Sequence, residues 1–381
     1  MRVTQSMLTN SNLTYISNNY ERLGKVQDQL NTGKKITKPS DDPVVAMKGM
    51  RYRSEVVEIE QFQRNLTEGY SWMDNADQAL GEAGDILNRV RELVTQAAND
   101  SYTEEDRANI AKEINQLKQH LADIADTKVG NKYIFNGTNT SESPINEAFM
   151  DIEYGEFATD LDLGNGNQYV MTYQGKPYSF KEVSGTEFTF EAPDSQRITI
   201  DRASDEIVHT FEELPNGSST PFEVNESISS DQLVFTSQDA VSRNTQDVEI
   251  EVMKGVTIPI NVRAQEAFSQ EMFGLMTSIE KMLVNTTTEA SDLDESLDQI
   301  DDVLNGVVNT RAELGARQNR IEMVEARLST QEIVAKKTVS ENEDIDFEKA
   351  IMDLQTQESL HRVALAAGAR IIQPTLMDFL R

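Results

Sequence analysis

The chain has 381 residues, long enough for two or three domains, and carries 35 Lys and Arg against 65 Asp and Glu, a formal charge of −30. Such an acidic balance excludes nucleic acid and anionic membrane as the main partners, because both reward basic patches. There is no cysteine for disulfides or thiolate-held metals and no apolar run long enough to span a bilayer. The opening MRVTQSMLTNSNL also lacks the apolar core of a cleaved secretory signal, so none is expected.

The first element is amphipathic. Leu13, Ile16, Tyr20, Leu23 and Leu30 mark one stripe, with Val26 or Gln27 completing it. It runs into TGKKITKPSDDP, residues 32–43, where nothing looks helical. Gly33 suits the left-handed position that closes a helix, and Pro39 pushes Lys38 toward extended backbone. Asp42-Pro43 fits an N-cap followed by proline at the first helical position, with Asp41 near the positive end of the new dipole. The stretch therefore spells a stop, an extended arm and a start.

From Ile59 to Ala97 a narrow stripe repeats in steps of three and four: Ile59, Phe62, Leu66, Gly69, Met73, Ala76, Leu80, Ala83, Leu87, Val90, Val94 and Ala97. Only Gly69 is not apolar, and the spacing predicts one long helix of a coiled-coil-like bundle. After Asn99-Asp100-Ser101 a second helix carries Ile110, Ile114, Leu117, Leu121 and Ile124, so the two should form an antiparallel hairpin.

The middle of the chain changes character. Six of the nine prolines fall within 141–260, and short alternating runs (YVMTY, EFTFE, RITID, LVFTS, VEIEV) are separated by turn residues, a strand signature. This segment holds 23 acidic and six basic side chains, a net of −17, whereas residues 1–38 carry +4 and residues 361–381 carry +2. Helical spacing returns with Phe268, Met272, Leu275, Ile279 and Leu283. It continues through Leu293, Leu297, Ile300, Leu304, Val307, Leu314, Ile321, Val324 and Leu328, interrupted by polar Arg311 and Gln318. A last stripe, Phe347, Ile351, Leu354 and Leu365, leads toward Ile371, Ile372, Leu376, Phe379 and Leu380.

The pattern is α+β: a long helical, coiled-coil-like bundle drawn from both halves of the chain, with an inserted all-β domain and amphipathic terminal helices. The expected regions are 1–40 (terminal helix and connector), 41–140 and 261–340 (the two halves of the helical rod), 141–260 (β insert) and 341–381 (C-terminal helix). Neither terminal helix has enough apolar surface to offset the entropy of ordering it alone. Each end is therefore expected to fold against the other or against a neighbouring subunit.

Residues with catalytic or metal-binding chemistry are sparse. His120, His209 and His361 lie in three different regions, and His120 sits beside a helical stripe. DLDLGNGNQ, residues 160–168, has Asn165 where a calcium loop needs glycine and lacks the closing glutamate, so it reads as an acidic turn. Asn136-Gly137-Thr138 matches a glycosylation sequon but reads as a turn, and Trp72 as an edge-of-core residue. ENED, residues 341–344, reads as a solvated face or a helix start. No enzyme, cofactor or metal is expected.

QLNTGKKITKPSDDPVVAM, residues 29–47, resembles the signature that follows the first terminal helix in the flagellin superfamily. MRVTQSMLTN at the start, SLHRVALAAGARIIQPTLMDFLR at the finish and the nested layout support the likeness, which covers roughly residues 1–140 and 262–381. The Pro-Ser-Asp-Asp-Pro form and NKYIFNGTNT, residues 131–140, are similar to the hook–filament junction branch rather than to filament flagellins. The resemblance implies an extracellular structural subunit of the bacterial flagellum, made in the cytoplasm and exported by the type III apparatus without a cleaved signal. Its implied partners are further copies of itself in a ring, the other hook-associated junction protein, flagellin and an export chaperone, with no nucleic acid and no membrane.

The resemblance also implies that the terminal stripes are subunit interfaces: Leu13, Ile16, Tyr20, Leu23, Leu30, Ile351, Leu354, Leu365, Ile371, Ile372, Leu376, Phe379 and Leu380. Lys34 and Lys35 join them as positive charge offered to a neighbour, and reversing their charge is expected to leave the isolated subunit's stability unchanged. Filament flagellin and a junction subunit with an adhesive β insert are the alternatives.

Overall fold

The structure is a computed structural model and describes residues 5–99, 102–213, 222–285 and 290–372. The helices are α1 (Gln5–Thr32), α2 (Pro43–Ala97), α3 (Glu104–Ala125), α4 (Tyr154–Asp162), α5 (Ala264–Ala267), α6 (Gln270–Val284), α7 (Ala290–Glu343) and α8 (Phe347–Ile372). The strands are β1 (Lys128–Val129), β2 (Lys132–Tyr133), β3 (Tyr169–Tyr173), β4 (Lys176–Ser184), β5 (Glu187–Glu191), β6 (Arg197–Asp201), β7 (Glu206–Glu213), β8 (Phe222–Ser227), β9 (Val234–Ser237), β10 (Glu249–Met253) and β11 (Val256–Pro259). The chain forms two compact units, residues 1–63 with 325–381 and residues 64–324, so the division falls inside α2 and α7. The architecture is α+β, as the sequence pattern requires.

In the 64–324 unit a heptad seam organises the long helices. On α2, Leu66, Met73, Leu80, Leu87 and Val94 recur every seventh residue, and Gly69, Ala76, Ala83, Val90 and Ala97 fall between them; all are buried. On α7 the buried series is Leu293, Ile300, Val307, Leu314 and Ile321, again every seventh. A strict seven-residue repeat holds two helices together over many turns. They run antiparallel: Arg91 Nε donates to Asp301 at 2.6 Å, Arg311 Nε to Asp77 at 2.7 Å and Gln318 Nε2 to Asp74 at 3.2 Å. Arg311 and Gln318, which interrupt the apolar series in the sequence, are thus ties between the helices. Gly69 has its own reason. A Cβ there would lie 2.6 Å from Ile250 Cδ1 and 3.4 Å from Ile260 Cγ2, so only glycine leaves room for those side chains.

Local sequence sets the shorter helices. Thr103 and Asp106 form a reciprocal capping box at the start of α3, and the Ser269 hydroxyl accepts the Met272 N–H at the start of α6. Of the apolar series predicted over 268–283, Met272, Leu275, Ile279 and Leu283 lie in α6, Phe268 just precedes it, and all are buried.

The insert is a seven-stranded antiparallel sheet in the order β8-β7-β6-β5-β4-β3-β9, with β10 and β11 as a separate hairpin. Gln174 and Gly175 both have positive φ (48° and 80°), the backbone that a two-residue turn between β3 and β4 requires. The insert also carries helix α4, which the strand-like reading does not give. Its Phe157 and Leu161 are fully buried among Tyr169, Phe190, Phe235 and their neighbours, with the Phe157 and Phe235 rings stacked 4.1 Å apart. The acidic turn DLDLGNGNQ is the end of this helix: Asp160 accepts from Tyr169 and Asp162 from Arg202. His209 is buried in the sheet, its Nε2 3.0 Å from the Tyr178 hydroxyl and 3.2 Å from Gln196 Oε1. Burial, and secondarily Lys176, push its imidazole toward the neutral form, so it is a structural residue.

The NKYIFNGTNT segment is a structural hub of this unit. Ile134 and Phe135 are buried, the Phe135 ring meets Phe268 edge-on at 4.9 Å, and buried Trp72 donates to the Ile134 carbonyl at 3.4 Å. Asn136 is 2% exposed and donates to the Glu142 carbonyl at 3.0 Å, which takes the sequon out of reach of any glycosyl donor. Gly137 has φ +54°, and a Cβ on it would sit 2.3 Å from the Gln246 carbonyl oxygen. Gly137→Ala should therefore destabilise the protein by about 1–3 kcal/mol, read as a lowered urea midpoint with an unchanged slope.

Candidate assembly surface

Among the described residues, the unit of 1–63 and 325–381 consists of helices joined by the connector and the α7–α8 turn. α1 and α8 pack antiparallel: a Cβ on Gly368 would touch Ile16 Cδ1 at 3.2 Å, the Tyr20 and His361 rings lie 5.8 Å apart, and Gly33 faces Phe347. Ile16, Leu23, Val26 and Leu30 on α1 and Leu354 on α8 are half-buried, so Val26 rather than Gln27 completes the first stripe. One stripe is all that a helix pair can cover. Leu13 is 52% exposed, Tyr20 68%, Ile351 47% and Leu365 48%.

The remainder of the unit repeats this imbalance. Among the described residues, 16 of the 23 exposed large apolar side chains lie here, including Val44, Met47, Met50 and Val57 on α2 and Ile333 and Val334 on α7. Its buried apolar residues are Ile59, Leu328, Ala335 and Ala350. Two buried polar atoms of α8, Gln357 Oε1 and His361 Nδ1, have no hydrogen-bond partner among the described residues.

The connector is a clasp. Gly33, at φ +70°, ends α1, and the Asp42 carboxylate accepts the Val44 and Val45 N–H groups at 3.0 and 3.1 Å to start α2, as the sequence suggests. Asp41 does not cap that helix. It accepts the Lys38 and Thr37 N–H groups at 3.0 and 3.2 Å, and these bonds hold its carboxyl below the usual range. Between these ends the arm pairs with the α7–α8 turn: Lys35 N donates to the Glu343 carbonyl at 2.7 Å and Ile345 N to the Gly33 carbonyl at 2.9 Å.

ENED is correspondingly not a helix start, and of its carboxylates only Glu341 and Asp344 face solvent. It closes α7, and Glu343 is 3% exposed. Its carboxylate accepts from Arg53 Nε at 2.7 Å, from Arg53 Nη2 and from Lys34 Nζ at 3.3 Å. It also lies so close to α2 that a Cβ on Gly49 would stand 2.4 Å from Oε1. Burial raises the carboxyl, but the Arg53 guanidinium and the Lys34 ammonium outweigh it and hold it below its ordinary value.

Lys34 is therefore engaged inside the subunit, and the Lys35 ammonium donates to the Glu341 carbonyl. Reversing the charge of Lys34 would set two anions against each other at a buried site, so the expectation of unchanged stability gives way for that residue. Ile371 and Ile372 continue the backbone of α8, while Leu376, Phe379 and Leu380 lie outside the described residues. Sequence reasoning missed the exposed residues of α2 and α7 and the burial of Glu343. The one signal for the latter was the pairing of acidic ENED with basic GKK.

Helices drawn from both ends of the chain, with α1 and α8 paired and a sheet inserted in sequence between the helical halves, define the class of protein. The chain belongs to the flagellin family: residues 3–140 match the bacterial flagellin N-terminal helical region and residues 297–380 its C-terminal helical region. Among curated relatives, Flagellar hook-associated protein 3 of Salmonella typhimurium is 24% identical over 176 residues, 46% of this chain and 56% of that one, so the match spans about half of that relative. A flagellin of Clostridium tyrobutyricum is 23% identical over 401 residues, covering 98% of this chain and all of that one. The solved structure of a candidate flagellar hook-associated protein from Vibrio parahaemolyticus shares the fold, with a TM-score of 0.50 and 17% identity over 80% of this chain and all of that one. The family is structural rather than enzymatic.

The lowered carboxyl of Glu343 has a defined pH signature. Its ionised form is favoured by folding, so its contribution is full above the unfolded carboxyl value of about 4.3 and is lost as pH falls through the lower folded value. The stability difference between the wild type and Glu343→Gln, measured by urea unfolding, should be constant above about pH 5 and shrink below about pH 4.

Proposed function

We propose that this protein is a structural adaptor at the hook–filament junction of the bacterial flagellum, exported without a cleaved signal and assembled as a ring. The observation that carries assembly is the terminal unit itself, which among its described residues exposes 16 large apolar side chains and buries four apolar ones. Such a surface is stable in water only when further copies or partners cover it. Leu13, Tyr20, Ile351 and Leu365 are the interface residues we assign first, with the half-buried Ile16, Leu23, Leu30 and Leu354 holding α1 to α8. Ile371, Ile372, Leu376, Phe379 and Leu380 extend the interface toward the C-terminus.

The junction role, rather than the filament, is supported by PSDDP in the connector and by the Tyr-Ile-Phe-Asn-Gly of the hub. The similarity to Flagellar hook-associated protein 3 of Salmonella typhimurium supports the same reading. Partners are then the hook-side junction protein below, flagellin above and an export chaperone beforehand. Filament flagellin is the second reading, favoured by the full-length alignment with the Clostridium protein. Purified protein added to filament seeds separates them: limited addition supports the junction, and indefinite elongation overturns it.

Two outcomes are expected. Cells lacking the gene should carry hooks without filaments and release flagellin into the medium; intact filaments would refute the role. Tyr20→Ser combined with Ile351→Ser should prevent filament formation in complemented cells. The main urea transition should meanwhile shift by no more than about 0.5 kcal/mol, because both side chains are exposed in the free subunit.

A further inference from the structure

Glu343, at the end of α7, touches two other pieces of chain at once. Its carbonyl takes the Lys35 N–H of the connector, its carboxylate takes Lys34 of the same connector, and its other oxygen is held by Arg53 on α2 against the bare backbone of Gly49. The residues beside it extend the same grip: Asn342 Nδ2 donates to the Val45 carbonyl at 3.1 Å, and Lys34 and Asp344 pair as an antiparallel bridge. The connector is further tied to α1 by Gln29, whose side-chain amide donates to the Lys35 carbonyl.

From this geometry we propose that Glu343 is the positioning residue of the terminal helices, locking the start of α8 and the end of α1 to α2 so that the two helices order, and lose order, as one. The charge is essential to that role. A buried carboxylate satisfied by a guanidinium and an ammonium has one favourable arrangement of three chain segments, whereas an apolar contact would tolerate several. Gly49 is part of the device, since any side chain there would displace the carboxylate from Arg53. Arg53 supplies a fork that lysine cannot reproduce. The groups facing Glu343 are Lys34 and Lys35 of the connector, Arg53 of α2 and its neighbours Glu341 and Asp344. The consequence for filament growth rests on the assembly reading above; the coupling of the two helices does not.

Hydrogen exchange on the full-length protein tests the coupling directly. Glu343→Gln should speed amide exchange in both α1 and α8 by at least tenfold, by the same factor in each, and leave the buried strands β3–β6 unchanged. Gly49→Ala, which keeps every charge, should do the same, and Arg53→Lys should give a smaller, equally shared effect. Acceleration of one helix alone, or of neither, would overturn the proposal, as would equal acceleration in the strands. In cells lacking the gene, the wild-type chain should restore filaments and Glu343→Gln should not. If the wild type itself fails, the assembly reading falls while the exchange result still decides the clasp. If Glu343→Gln restores filaments despite faster exchange, positioning for assembly is refuted.

Discussion

Two helices lying side by side cover one stripe of each other, and any further apolar face needs a third element to cover it. The terminal unit meets this constraint and goes no further. α1 and α8 half-bury Ile16, Leu23, Leu30 and Leu354, leaving Leu13, Tyr20, Ile351 and Leu365 in water. The segment of α2 that carries Val44, Met47 and Met50 is left in the same state. A protein that had to keep this unit folded alone would place polar residues there. On the assembly reading proposed above, the missing third element comes from another molecule.

The 64–324 unit is built by the opposite rule. Its seam alternates large residues (Leu66, Met73, Leu80, Leu87) with small ones (Gly69, Ala76, Ala83), so that side chains from other elements can close over α2. The sheet adds a core of its own around Phe157, Phe190 and Phe235. Most of the subunit's excess negative charge lies in the 141–260 segment, where strands alternate buried residues with solvated ones. The core of this unit is therefore closed by its own described residues.

Much of this was legible in the sequence. Helices of period seven, the strand-rich insert, the capping of α2 by Asp42 and the termination of α1 at Gly33 all follow from residue type and spacing. What stayed hidden depends on contacts between distant segments. Arg311 and Gln318 look like flaws until Asp77 and Asp74 stand opposite them. Gly69 looks like a gap until Ile250 fills it. Helix α4 went unseen because its buried residues, Phe157, Ala158 and Leu161, are too few to set a period. Glu343 was assigned to solvent because a carboxylate in an acidic run usually belongs there, and only the fold brings Arg53 and Lys34 to it.

The clasp also explains why the connector is basic in so acidic a chain. Burying a carboxylate rarely adds net stability, since desolvation cancels most of the attraction, but it penalises every arrangement in which the partner cations are elsewhere. A unit with four buried apolar side chains among its described residues has little packing to choose among the ways its helices could meet. Charge makes that choice instead. Lys34 and Arg53 select one register of connector against turn, Gly49 leaves room for it alone, and the exposed stripes of α1 and α8 are thereby offered to a neighbour in a single arrangement. On the proposed reading, packing in this unit is left to the assembly and electrostatics defines what is to be packed.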